Sequence, residues 1–158
     1  IPYPGGPGIE KLALEGTPSY ELPKPVLDNT YNFSYSGLKS YISNLVHNET
    51  QRGNEIRRAD LAASFQTTAI DELARKVDLA LRNTGIKNVI VAGGVSANKY
   101  LRKEIENVAN KNNAKLTIPK FIYCTDNAAM IGAAAYPLYL KNDFTDYSLN
   151  AESSANIC

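Results

Sequence analysis

The chain has 158 residues, 44% of them hydrophobic and 21% charged, with a formal net charge of +1. That length supports one domain with a real core, and the charge balance excludes a strong global footprint for nucleic acid or membrane, though not a local basic patch. Two cysteines, Cys124 and Cys158, argue against a disulfide framework and for a reducing compartment.

Residues 1–8, Ile-Pro-Tyr-Pro-Gly-Gly-Pro-Gly, read as a Pro/Gly loop. They contain neither a basic stretch nor an apolar block of the signal-peptide kind, and no later apolar run reaches transmembrane length. An opening of this kind, without Met, reads as a turn from the middle of a protein, so a fragment or a processed chain is expected. Ile9 to Glu15 predicts a short helix stopped by Gly16. Pro18, Pro23 and Pro25 make Thr17 to Thr30 extended or looped, with an edge strand near Val26. Asn32 to Ser36 alternates polar and aromatic residues, as a short strand or a cap does. A helix from Gly37 or Leu38 to about Asn48 would bury Leu38, Tyr41, Ile42 and Leu45. After a polar break at Glu49 to Asn54, the clearest helix runs from Ile56 to Arg82. Its stripe is Leu61, Phe65, Ala69, Leu73 and Val77, widened by Ala62, Ile70 and Leu81, with Gly85 at its C-terminal cap.

The pattern then alternates. Asn88 to Ala92 predicts a buried strand, and Ala97 to Asn112 a helix with Leu101, Ile105, Val108 and Ala109 inward. Lys115 to Ile118 predicts a short strand, and Asp126 to about Leu140 an Ala-rich helix with Pro137 in its last turn or at a kink. The organisation expected is a Pro/Gly-rich opening segment at 1–30, a helical region at 31–86, a βαβα nucleotide-site core at 87–141 and a polar, irregular tail at 142–158. Alternating strands and helices imply an α/β layer, and the preceding helices a helical insertion or companion layer. So few strands make a thin sheet, which again suggests that part of it lies in sequence outside this chain.

Val89-Ile90-Val91-Ala92-Gly93-Gly94-Val95-Ser96-Ala97-Asn98 carries the first chemical signal. A strand ending in glycines and feeding a helix is a ready anion site, because the glycines admit a ligand to the backbone and the free amides of the first turn point at it. An ordinary strand-to-helix turn is the competing reading. Cys124-Thr125-Asp126-Asn127-Ala128-Ala129-Met130 is the second signal. Thr125 or Asp126 suits the cap of the following helix. Alternatively, a carboxylate at a helix mouth holds a metal ion that bridges to phosphate, although one Asp alone makes no metal site. Tyr3 to Pro7 is a rigid loop suited to border a flat ligand such as adenine, or simply a turn. Lys39, Arg57 and Arg58 are candidates for phosphate contact, with a solvated charged face as the alternative. No P-loop, Gly-x-Gly-x-x-Gly or zinc-protease signature occurs, and His47 is the single histidine.

Five segments occur in one order: Tyr3-Pro4-Gly5-Gly6-Pro7, Phe33-Ser34-Tyr35-Ser36-Gly37-Leu38-Lys39, Ala62-Ala63-Ser64-Phe65-Gln66, Ala92 to Asn98 and Cys124 to Met130. Together they resemble the C-terminal half of the tRNA threonylcarbamoyladenosine transferase (TsaD) family, formerly labelled O-sialoglycoprotein endopeptidase, in its bacterial form. The resemblance implies an actin/Hsp70-like ATPase-superfamily (RNase H-like) fold, present as a partial C-terminal fragment. It implies transfer of a threonylcarbamoyl group from threonylcarbamoyl-adenylate to N6 of the adenosine next to the anticodon in ANN-decoding tRNAs. By the same resemblance Asn98 contacts the nucleotide-bearing substrate, Gly93 and Gly94 line the adenylate pocket, and Asp126 ligates an active-site iron, or sometimes zinc. The implied partners are tRNA, a TsaB-like paralogue and a TsaE-like ATPase, and the implied location is the cytoplasm, with no membrane partner.

The family's histidine pair belongs to the other half of its proteins, so this chain alone is expected to lack transferase activity. No side-chain nucleophile stands out, and none is needed for acyl transfer to an amine. Two other readings compete. A non-catalytic nucleotide-binding or interaction domain of the same superfamily would bind ATP or a protein without needing tRNA. The protease label finds no proteolytic constellation in this chain.

Overall fold

A computed structural model describes residues 4–24 and 30–150. Five helices and two strands occur among them: α1 (Gly5–Ala13), α2 (Ser36–Gln51), α3 (Arg58–Thr84), β1 (Asn88–Ile90), α4 (Lys99–Lys111), β2 (Lys115–Thr117) and α5 (Ala128–Leu140). The chain divides into two compact units, Ile1–Cys124 and Thr125–Cys158.

α1 begins earlier than the Pro/Gly composition predicts, at Gly5 rather than Ile9. Pro7 falls in its first turn, where a missing backbone N–H costs nothing because that group has no intrahelical acceptor. Residues 17–24 contain neither helix nor strand, as their prolines require, and the edge strand expected near Val26 lies outside the described residues. Asn32 to Tyr35 also forms no strand. Instead the Tyr35 hydroxyl donates to the Ala69 carbonyl at 3.0 Å, tying the start of α2 to α3.

α3 is the long helix that the four-residue apolar spacing predicts, and it ends on Gly85 in the left-handed region at φ 69°. Leu61, Ala62, Ala63, Ile70, Ala74 and Leu81 are buried along it. Gly16 packs on its first turn so closely that a Cβ there would lie 2.2 Å from the Ala59 carbonyl carbon and oxygen. The buried Asp60 carboxylate accepts from the Thr17 amide at 3.0 Å and pairs with Arg57 at 3.1 Å. Arg57 thereby has an intramolecular partner.

β1 and β2 pair in parallel, with Val89 opposite Leu116. The main cluster is Ile70, Ala74, Leu101 and Ile105, against which Leu73, Val77, Val89, Val91, Val108 and Leu116 pack. It sits where α3, α4 and the sheet meet. The expectation of a fully buried first strand fails. Side chains alternate along a strand, so Val89 and Val91 reach the cluster while Ile90 is 77% exposed. The strand is also shorter than expected, although the Val91 amide still donates to the Thr117 carbonyl at 3.0 Å.

In the second unit Asn127 is the N-cap of α5, its Oδ1 accepting from the Met130 amide at 3.0 Å. This corrects the assignment of the cap to Thr125 or Asp126. Pro137 lies in the last turn and the helix ends at Leu140. Met130, Ile131, Tyr136, Leu138, Tyr139 and Leu140 are exposed.

Candidate functional site

The glycine loop leaves β1 at Val91 and turns at Gly93. Gly93 has φ 88° and ψ 171°, a combination essentially reserved for glycine because a Cβ would strain the backbone there. Gly94–Ala97 then forms a single 3-10 turn, with the Ser96 amide bonded to the Gly93 carbonyl at 3.0 Å. Nothing lies within 4 Å of the point where a Cβ would stand on Gly93 or Gly94. Both glycines are exposed, so a ligand can approach their backbone.

Asn98 follows as the N-cap of α4. Its Oδ1 accepts from the Leu101 amide at 2.9 Å, and its Nδ2 donates to Gln66 Oε1 of α3 at 2.8 Å. One side chain therefore starts α4 and fixes it to α3. The Lys99 amide donates to Glu10 Oε1 at 2.8 Å. This modifies the sequence expectation of free amides at the helix mouth. The amides of Lys99 and Leu101 are already engaged, and the accessible backbone lies at the glycines instead. Gln66 belongs to one of the ordered motifs, but its link to Asn98 spans 32 residues and Glu10's link to Lys99 spans 89. No local pattern reports such pairs.

Beside Asn98 lies a cavity of about 450 Å³ between α1, α3 and α4, lined by Glu10, Pro18, Gln66, Thr67, Lys99, Tyr100 and Lys103, among others. The Tyr100 hydroxyl donates to Asp71 Oδ1 at 2.9 Å. Burial first, and then the Asp71 carboxylate, push the Tyr100 pKa up to about 12, so it remains a neutral hydrogen-bond donor at neutral pH. The wall of the cavity combines aliphatic and aromatic surface with the Lys99 and Lys103 ammonium groups, the Gln66 amide, the Thr67 hydroxyl and the Glu10 carboxylate, a composition suited to a polar ligand with a flat apolar part.

The Ser96 hydroxyl is fully buried and has no hydrogen-bond partner among the described residues. Of the sequence-derived site residues, the structure brings Gly93, Gly94 and Asn98 together on one loop.

Asp126 belongs to the second unit. It is exposed and follows the 3-10 turn Phe121–Tyr123 by three residues. With Asn127 acting as the cap, its carboxylate is not consumed by the helix start. Among the described residues no three His, Cys, Asp or Glu side chains gather where an ion could sit. Asp126 offers a single carboxylate oxygen donor there, and one carboxylate by itself makes no metal site. No helix among the described residues is long and apolar enough to cross a membrane.

Comparison with known proteins is consistent with these motifs. The family described as "TsaD: tRNA N6-adenosine threonylcarbamoyltransferase" matches residues 1–133. Proteins named tRNA N6-adenosine threonylcarbamoyltransferase from Bacillus thuringiensis (strain Al Hakam) and Bacillus anthracis are each 48% identical over 99% of the chain. One from Staphylococcus aureus (strain Newman) is 43% identical over 98% of it. In each case the chain spans only 46% of the relative's length. On the extent of the family match and the identity to these relatives, the chain belongs to the TsaD family.

Proposed function

We propose that this chain is the C-terminal part of a tRNA N6-adenosine threonylcarbamoyltransferase, and that it supplies part of the adenylate pocket and one metal ligand. The observation that carries the reading is the family match over residues 1–133, together with 48% identity across 99% of the chain. The small parallel sheet with helices against it is read as part of an actin/Hsp70-like lobe.

The reaction moves an acyl group from a mixed anhydride to a weakly nucleophilic amine. N6 of the adenosine attacks the carbamoyl carbon of threonylcarbamoyl-adenylate, a C–N bond forms, the C–O bond to phosphate breaks, AMP leaves and the amine loses a proton. Gly93 and Gly94 offer backbone that a phosphate can reach, in a conformation already set by the turn. The cavity beside Asn98 suits the nucleoside. Asn98 holds the loop to α3 and so orients the donor. Asp126 would contribute one carboxylate to an iron or zinc ion, and such an ion would supply Lewis-acid stabilisation of developing negative charge. The acceptor is tRNA. A TsaB-like paralogue and a TsaE-like ATPase are the proposed protein partners, in the cytoplasm.

Supplying threonylcarbamoyl-adenylate and an ANN-decoding tRNA to the full-length protein and its partners tests the proposal. Modification of the tRNA is the expected result. Nucleotide binding with no tRNA dependence would favour the non-catalytic binding module instead.

A further inference from the structure

The glycine loop is held by a side chain that none of the five motifs contains. Arg102 stands one turn into α4, on the same face as Asn98. Its Nε donates to the Ser96 carbonyl at 2.6 Å, and its Nη2 donates to the Pro119 carbonyl at 2.8 Å and to Cys124 Sγ at 3.2 Å. The guanidinium carbon lies 4.1 Å from the centroid of the Phe121 ring. Cys124 is buried and is the last residue of the first unit.

We infer that Arg102 is a positioning residue, whose guanidinium clamps the glycine loop at Ser96 to the segment Pro119–Cys124 and so holds Gly93 and Gly94 in their ligand-accepting geometry. The clamp requires arginine rather than any cation. A planar fork sends Nε toward one carbonyl and Nη2 toward another while its face stacks on an aromatic ring. A lysine ammonium is a point donor and cannot meet these partners together. Without the clamp, the 3-10 turn keeps its own backbone bonds but loses its anchor to the chain beyond β2. Ser96 contributes nothing in exchange, because its buried hydroxyl has no partner among the described residues.

The inference rests on the transferase reading for its kinetic test and on nucleotide binding for an independent one. In the full-length protein, Arg102→Lys is expected to unfold at nearly the wild-type temperature. Its kcat for transfer should fall about ten- to a hundredfold because the loop is misplaced, with KM for tRNA unchanged. Its affinity for AMP, measured by calorimetry, should weaken about tenfold for the same reason. Arg102→Ala should show the same kinetic pattern and serves as the second variant. Wild-type AMP affinity in Arg102→Lys would overturn the inference, as would a loss of activity that only tracks the folded fraction. Wild-type protein that binds AMP but transfers nothing would instead count against the transferase reading, and the AMP comparison would still decide the role of Arg102.

Discussion

Gly93 and Asn98 show how individual residues set the site. Gly93 sits where φ is 88° and ψ is 171°. Replacing it with alanine should cost about 1–3 kcal/mol of backbone strain and also misplace the turn. The check is a urea titration of wild type and Gly93→Ala, with an unchanged midpoint contradicting the strain. Asn98→Ala should cost about 1 kcal/mol through loss of the α4 cap. Asn98→Asp keeps the capping oxygen but loses the amide that donates to Gln66. It should therefore retain most of the helix stability and lose nucleotide affinity, separating capping from positioning. The local chemistry of this loop was legible because a turn residue, a cap residue and a strand are all sequence-local. The partners of Asn98 and Lys99 were not, because Gln66 and Glu10 meet them only through the packing of α3 and α1 on α4.

Between elements, the joint of α3 with α4 depends on Asp78. Its carboxylate accepts from Asn112 Nδ2 at 2.8 Å and from Lys111 Nζ at 3.1 Å, and pairs with Arg82 at 3.2 Å. The Asn112 hydrogen bond, opposed by burial and reinforced by Lys111 and Arg82, holds the Asp78 carboxyl below its ordinary value of 3.8. A depressed folded-state pKa stabilises the protein above the unfolded pKa, and this contribution is lost as pH falls through the folded value. Stability should thus decline below about pH 4. Asp78→Asn should lower stability at pH 7 by about 2 kcal/mol and flatten that acid limb, as read from thermal melts across pH 2.5–7. The Gly16 contact is a second joint. Gly16→Ala forces the opening segment off α3 and should cost about 3 kcal/mol in the same melts, since the atoms in the way are backbone. The stripe of α3 and its glycine stop were readable from periodicity. The early start of α1 was not, because Pro and Gly composition describes a loop unless the tolerance of a helix's first turn decides otherwise. The open face of β1 was equally hidden, since β-branched residues signal a strand without saying how many of its faces are covered.

For the whole molecule, α5 presents Met130, Ile131, Tyr136, Leu138, Tyr139 and Leu140 exposed, and Ile90 lies bare on β1. A helix apolar on every side is normally covered, and a parallel sheet normally has both faces packed. The relatives are about twice as long as this chain, which spans 46% of each. The 158-residue chain alone should therefore bind an apolar fluorescent dye strongly, and a full-length family member should bind it weakly; equal binding would contradict the expected covering. The family was legible from five motifs that occur in one order along the chain, and the family match over residues 1–133 agrees with them. A ligand set for the proposed metal was not legible, since Asp126 is a single donor and no three such side chains gather among the described residues.

The central claim is most directly tested by threonylcarbamoyl transfer from the purified adenylate to an ANN-decoding tRNA, followed by mass spectrometry of the digested tRNA. Full-length protein with its partners should yield N6-threonylcarbamoyladenosine. The 158-residue chain alone should yield none, and full-length Asp126→Ala should lose most of the product. Absence of product from the full-length wild type with all partners and donor present would contradict the account.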